Sequence, residues 1–149
     1  MRTLLRRDQI DLQVEIQESL PTINCNSGQI QQVVINLMTN ARDALNQRFS
    51  RPAQVKTMKL TVKMVPAKGS QFVRISVEDF GVGIPEQVRD RMFDPFFTTK
   101  DRTMGTGLGL SISHGIIQEH KGRISVESEL ARFTQFDIDL PVDSESVSD

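Results

Sequence analysis

Three polar side chains interrupt a helical apolar pattern that runs from about residue 27 to residue 48. Asn36, Asn40 and Asp43 are spaced i, i+4 and i+7, so they form one stripe on a helix otherwise rich in Val, Ile, Leu and Met. A buried amide without a hydrogen-bond partner costs about 1–3 kcal/mol. The stripe is therefore either a solvated face or a polar pocket, and we favour the pocket. Amide oxygens there would suit a magnesium ion that also contacts substrate phosphates.

A glycine-rich segment follows a predicted strand directly. It begins with the carboxylate of Asp79 and contains Gly81 and Gly83. Glycines let the backbone approach a flat ligand closely, and a carboxylate at a strand end can accept a hydrogen bond from an exocyclic amine. The same pattern also fits an ordinary turn, so these residues alone leave both interpretations open.

A second glycine-rich segment leads into a predicted helix. Its members are Gly105, Thr106, Gly107, Leu108 and Gly109. Free N–H groups and the positive end of the helix dipole bind phosphate at such a place. The segment lacks the Gly-Lys-Ser/Thr of a Walker loop and the preceding strand of a dinucleotide site. A flexible hinge is the alternative interpretation.

Three of the eight phenylalanines lie close together between the two glycine-rich segments. Phe93, Phe96 and Phe97 are expected to anchor one end of a non-periodic loop to the core. Lys100 follows them and could reach a terminal phosphate as a point charge, although a solvated lysine is the ordinary alternative.

Alternation of apolar and polar residues predicts strands at 10–16, 58–65, 72–78, 123–128 and 135–140. Helical patterns predict helices at about 27–48, 85–93 and 108–119, and residues 66–70 are expected to form a turn. About five strands and three helices favour an α/β (α+β) two-layer sandwich with a mixed, mostly antiparallel sheet. We expect residues 1–9 to end an upstream linker or helix, 10–141 to form the domain, and 142–149 to be a disordered acidic tail.

Composition excludes several classes of protein. The 149 residues carry 18 basic and 19 acidic side chains, so nothing favours binding to nucleic acid or direct contact with a membrane. No apolar run approaches the roughly 18 residues of a membrane span. The single cysteine, Cys25, excludes an internal disulfide and is typical of a cytoplasmic domain.

Taken in order, these segments resemble the catalytic domain of sensor histidine kinases, in the GHKL ATPase superfamily. Residues 36–44 resemble its N box, 79–83 its first glycine box, 93–100 its F box and 105–110 its second glycine box. The resemblance implies a Bergerat-type ATP-binding fold. It also implies ATP and Mg²⁺ as cofactors, under a lid spanning about residues 84–106.

The resemblance also assigns roles to single positions. Asn40 should bind magnesium, with Asn36 beside it, and Asp79 should bind the adenine amino group in a water-linked network with Thr134. Residues 105–109 should wrap the phosphates. Asn40 and Lys100 are the predicted catalytic residues.

Three positions depart from the family pattern. Asp43 stands where many of these kinases have a lysine. The resemblance therefore places Asp43 at the phosphate site by position and gives it no specific contact. The family usually has two glycines before its last strand, at the places of Ala131 and Phe133 here. We expect the turn at these residues to differ.

The implied reaction is transfer of the terminal phosphoryl group of ATP to a histidine on a separate dimerisation domain of the same kinase, with a response regulator downstream. Two alternatives stay open: an ATP-hydrolysing conformational switch, and a nucleotide-binding module without catalysis. Gyrase-like relatives activate water with a glutamate where this chain has Asn36, and an amide has no useful basicity. His114 and His120 lack the acidic residue and proline that surround a phosphoacceptor, so we expect no self-phosphorylation.

Overall fold

The computed structural model describes residues 2–49, 55–67, 69–94 and 106–142. These residues form five strands, as the sequence predicts, and four helices rather than three. The elements are α1 (Arg2–Arg7), β1 (Ile10–Ile16), α2 (Ser27–Arg48), β2 (Lys56–Ala67), β3 (Ser70–Asp79), α3 (Glu86–Arg89), α4 (Thr106–Glu119), β4 (Arg123–Glu129) and β5 (Phe133–Pro141). No helix in this part of the chain is long and apolar enough to cross a bilayer.

The five strands form one sheet in the order β1-β2-β3-β5-β4. Strands β1 and β2 pair in parallel, and the other three pairs are antiparallel. A parallel pair needs a long crossover, and α2 supplies it. The mixed, mostly antiparallel sheet of the sequence prediction is confirmed.

One face of the sheet is buried against α2 and α4. Because side chains alternate along a strand, Val73, Val77 and Asp79 of β3 share this face, and all three are buried. The core between the layers includes the fully buried Leu37 of α2 and Ile117 of α4. Burial of these apolar side chains holds the two helices against the sheet. The first glycine-rich segment follows the end of β3, and the second leads into α4.

Helix α2 begins and ends as the sequence predicts. The side chain of Asn26 caps its first turn by accepting a hydrogen bond from the backbone N–H of Gln29 at 3.0 Å. The N-terminal helix α1 was expected to belong to an upstream segment. Its Leu5 is nevertheless only 2% exposed and packs into the same core.

Several predicted boundaries are wrong, and β2, β3 and β5 each begin two residues earlier than predicted. Strand β2 continues through Pro66, which pairs with Gln71. The expected turn at 66–70 is therefore reduced to the two positions between the paired residues Ala67 and Ser70. Proline is tolerated there because the pairing of β2 with β1 ends at Val62, which leaves that side of β2 unpaired. Helix α3 ends at Arg89 instead of residue 93, and α4 begins at Thr106 instead of Leu108.

Candidate functional site

The carboxylate of Asp79 lies at the end of β3, on the face of the sheet that the helices cover. Its side chain is only 2% exposed. One oxygen, Oδ1, accepts a hydrogen bond from the backbone N–H of Gly81 at 2.8 Å. No other described residue donates to the carboxylate, so its second oxygen can accept a hydrogen bond from a ligand.

Burial controls the protonation of Asp79. Desolvation raises the pKa of this carboxyl from 3.8 to about 7. The hydrogen bond from Gly81 lowers the pKa, and the negative charge of Glu78 raises it further, but both effects are smaller than that of burial. A buried carboxyl with a raised pKa is a candidate ligand-binding group.

Thr134 lies directly across from Asp79, because the two residues are partners in the β3–β5 register. Its buried hydroxyl lies 2.8 Å from that of Ser128. Ser128 uses its one proton on the carbonyl of Phe133, at 2.9 Å, so Thr134 must be the donor between the two hydroxyls. The hydroxyl oxygen of Thr134 therefore keeps acceptor capacity beside Asp79, in the pairing that the resemblance implies.

The first glycine-rich loop passes so close to its neighbours that side chains do not fit. A Cβ added to Gly81 would lie 2.6 Å from the carbonyl carbon of Ala44 in α2. A Cβ added to Gly83 would lie 2.5 Å from the carbonyl oxygen of Glu129, and Gly83 also has a φ of +79°. The glycines thus bring the loop against α2 on one side and against the β4–β5 turn on the other.

Arg48 holds this loop from the end of α2. Its Nη1 donates to the carbonyl oxygens of Phe80 at 2.8 Å and Gly81 at 3.3 Å. This residue was not predicted from the sequence. The only signal for it in the sequence is that it is a basic residue in the last turn of the predicted helix.

The polar stripe of α2 is present as predicted. Asn36, Asn40 and Asp43 are all half-buried and lie beside the buried apolar face of the helix. The amide of Asn36 is engaged at both ends, because its Nδ2 donates to Ser113 of α4 at 3.2 Å and its Oδ1 accepts from Gln32 at 3.0 Å. The side chain of Asn40 makes no hydrogen bond to another described residue.

The donor set fits magnesium better than a metal held by protein alone. Within the described ranges, no group of three or more His, Cys, Asp or Glu side chains could hold a metal ion. Magnesium keeps several waters and leans on substrate phosphates, so it needs few protein ligands. The half-exposed, unengaged amide of Asn40 is suited to such a role.

The phosphate end of the predicted site is only partly described. Residues 95–105 of the predicted lid lie outside the described residues, and they include Phe96, Phe97, Lys100 and Gly105. Thr106, Gly107, Leu108 and Gly109 lie in the first turn of α4. Helix α4 thus begins inside the second glycine-rich segment, which puts the backbone N–H groups of that segment at a helix N-terminus.

Phe93, the first of the three clustered phenylalanines, packs partly against the core. Its ring stacks on that of His114 in α4, with 5.4 Å between the ring centroids. Phe93 therefore anchors this part of the chain, as predicted. It packs against α4, the helix whose first turn contains the second glycine-rich segment.

The turn before β5 keeps a glycine-like conformation without a glycine. Ala131 has a φ of +59°, in the left-handed region that favours glycine. Its N–H donates to the carbonyl of Val82 at 2.7 Å, which ties the turn to the first glycine-rich loop. The expectation that this turn differs from that of the family stays a prediction; at Ala131 the backbone is left-handed and the hydrogen bond to Val82 accompanies it.

Known proteins resemble this chain in sequence. The family model described as "Histidine kinase-, DNA gyrase B-, and HSP90-like ATPase" matches residues 25–144. "Sensor kinase CckA" of Brucella abortus (strain 2308) is 38% identical over 150 residues, which cover 95% of this chain and 16% of that protein. "Sporulation kinase E" of Bacillus subtilis (strain 168) is 38% identical over 133 residues, 89% of this chain and 16% of that protein.

The fold has relatives among solved structures. The catalytic domain of the histidine kinase ThkA superposes with a TM-score of 0.76 at 33% identity, covering 95% of this chain and 86% of that one. The chain thus spans nearly a whole catalytic domain, but only 16% of the length of each of the two kinases above. It therefore belongs to the family of histidine kinase-, DNA gyrase B- and HSP90-like ATPases, in which it is an ATP-binding catalytic domain of the sensor histidine kinase type.

Proposed function

We propose that this domain binds ATP together with magnesium and passes the terminal phosphoryl group to a histidine on a separate dimerisation domain of the same kinase. A response regulator would then receive the phosphoryl group. The observation that carries the proposal is the buried Asp79 carboxylate, with one oxygen held by Gly81 and Thr134 as its cross-strand partner.

The free oxygen of Asp79 explains selection of adenine. It can accept a hydrogen bond from the amino group of adenine, while the ring lies against the closely packed loop at Gly81. Guanine presents a carbonyl oxygen at the matching place. Two acceptors would then face each other in a buried site, and an unpaired buried polar group is costly.

The phosphate end uses two helices. The N-terminus of α4 offers backbone N–H groups to the phosphates, and Asn40 of α2 would hold the magnesium ion. Magnesium, when bound, neutralises phosphate charge. Lys100 is proposed to add a positive charge at the terminal phosphate, Asp43 to border this end of the site, and Gly105 to Gly109 to line it.

The described part of the site lacks the glutamate with which gyrase-like relatives activate water. Asn36 occupies the place of the gyrase-like glutamate, and both ends of its amide already make hydrogen bonds. Phosphoryl transfer by positioning and charge stabilisation still works if another domain supplies the nucleophile. The arrangement therefore favours transfer to a histidine over hydrolysis.

Calorimetric titration tests the nucleotide assignment. Wild-type protein should bind ATP more tightly than GTP, and more tightly with magnesium than with a chelator. Asp79→Asn should weaken ATP binding and reduce the preference over GTP, because an amide no longer offers a carboxylate oxygen. Asp11→Asn is the matched control, since Asp11 is an exposed carboxylate of β1, and its ATP affinity should match that of the wild type. Unchanged ATP affinity in Asp79→Asn would overturn the assignment.

A further inference from the structure

A hydrogen bond joins the two helices that carry the phosphate end of the site. The described core residues of these helices include Val33 and Leu37 of α2 and Leu110 and Ile117 of α4, all essentially fully buried. Ser113 lies among them with no exposed surface, and its hydroxyl oxygen accepts the hydrogen bond from Asn36.

The contact lies close to both proposed ligand-binding elements. Asn36 precedes Asn40 by four residues, which is about 6 Å along the axis of α2. Ser113 follows Thr106, the first residue of α4, by seven residues, which is roughly 10 Å along its axis. The hydrogen bond therefore joins the two helices within two turns of the groups that are proposed to meet on one polyphosphate.

Apolar packing alone does not fix how two helices lie along each other. Helices at such interfaces shift by about 1–2 Å between states. A misplacement of about 1 Å is enough to impair catalysis strongly. A directional hydrogen bond between two partly or fully buried groups favours one register, because a shifted register breaks the bond from the amide nitrogen of Asn36 to the buried Ser113 hydroxyl.

From this geometry we infer that Ser113 is a positioning residue, which holds Asn36 and so keeps Asn40 and the N-terminus of α4 in register for a magnesium-bound polyphosphate. The inference rests on the proposed function, since it concerns the same site. It also gives Asn36 a role that the resemblance does not assign: besides lying beside Asn40 on α2, it connects the two helices.

Magnesium dependence separates positioning from plain stability. The affinity of the 149-residue chain for a non-hydrolysable ATP analogue is measured by calorimetry with magnesium and again with EDTA. In Ser113→Ala the gain in affinity due to magnesium should fall about threefold to tenfold, the equivalent of one ordinary hydrogen bond. Affinity in EDTA should fall less than affinity in magnesium, because the adenine end at Asp79 is untouched.

The matched control is Ser76→Ala. Ser76 is also buried, and its hydroxyl donates to Asp137 at 2.6 Å, but it lies on the face of β3 away from the helices. This variant should lose stability and keep the full magnesium effect. Asn36→Ala should reproduce the defect of Ser113→Ala, and the double variant should add nothing to it, because both remove the same hydrogen bond.

Each remaining outcome decides the question. A full magnesium effect in Ser113→Ala, with wild-type protein showing that effect, would overturn the positioning role. If Ser113→Ala does not fold, Ser113→Cys keeps the side-chain volume, forms only weak hydrogen bonds and should show the same defect. If wild-type protein binds the analogue equally well with magnesium and with EDTA, the proposed magnesium site itself is wrong, and the positioning role falls with it.

Discussion

Replacing Asp79 by asparagine should make the free protein more stable at neutral pH while it impairs ATP binding. Asparagine has the same shape, and its amide oxygen can still accept the hydrogen bond from Gly81. The substitution removes the need to hold a charge in a buried position. Active sites often carry such a cost in stability for the sake of binding.

The size of the effect follows from the pKa of Asp79, which is about 7 in the folded protein against 3.8 for a free aspartate side chain. Between these values the folded protein keeps a proton that the unfolded chain has lost, so the free energy of unfolding falls as pH rises. The shift is about 3 pKa units at about 1.4 kcal/mol each, or about 4 kcal/mol in total. The cost is absent below about pH 4 and complete above about pH 7.

Urea unfolding of the wild type and of Asp79→Asn, at pH values from about 4 to about 8, measures this effect. The difference between their unfolding free energies should rise in favour of the variant across that range, by about 4 kcal/mol. Asp11→Asn, at an exposed carboxylate in β1, is the control and should show no such rise. A difference for Asp79→Asn that stays constant with pH would refute the claim that burial governs this carboxyl.

Three other substitutions test the supporting structure. Ala131→Gly should raise the free energy of unfolding by about 1 kcal/mol, because glycine relieves the left-handed backbone; a lower urea midpoint would contradict this. Gly81→Ala should cost about 1–3 kcal/mol and weaken ATP binding in calorimetry, because its Cβ would meet the backbone of Ala44, and wild-type behaviour would show that the loop has room. His120→Ala should cost about 1–2 kcal/mol in urea unfolding, because the Nε2 of His120 accepts the N–H of Asn26 at 3.1 Å and its Nδ1 lies 2.8 Å from the carbonyl oxygen of Ile116; an unchanged midpoint would show that neither contact matters.

The sequence predicts elements best where a periodic pattern and a local end signal agree. Helix α2 combines a long apolar stripe with the capping side chain of Asn26, and both of its ends are correct. The strand end at Pro66 was predicted wrongly, because a proline indicates a turn unless the strand beside it is known to have ended. Helix α3 was predicted too long because nothing local marks the residue at which so short a helix stops.

The site shows the same division. The polar stripe of α2 and the strand-end position of Asp79 could be predicted from spacing alone. The hydrogen bonds from Asn36 to Ser113, from the backbone N–H of Ile84 to Ser128 and from Arg48 to Phe80 could not, since each joins residues far apart in sequence. The residue types alone do not indicate these contacts. The exception is Ser113, because a serine on the apolar stripe of α4 is a polar group that needs a partner.

The most direct test of the central claim follows the terminal phosphate of ATP. The chain is incubated with magnesium and ATP labelled at that phosphate, alone and with the histidine-bearing helical domain of its parent kinase. The account predicts slow hydrolysis and no label on the chain alone. With the helical domain present, it predicts acid-labile label on a histidine of that domain. Rapid hydrolysis by the chain alone, or stable label on His114 or His120, would contradict the proposed division between an ATP-binding domain and a separate acceptor.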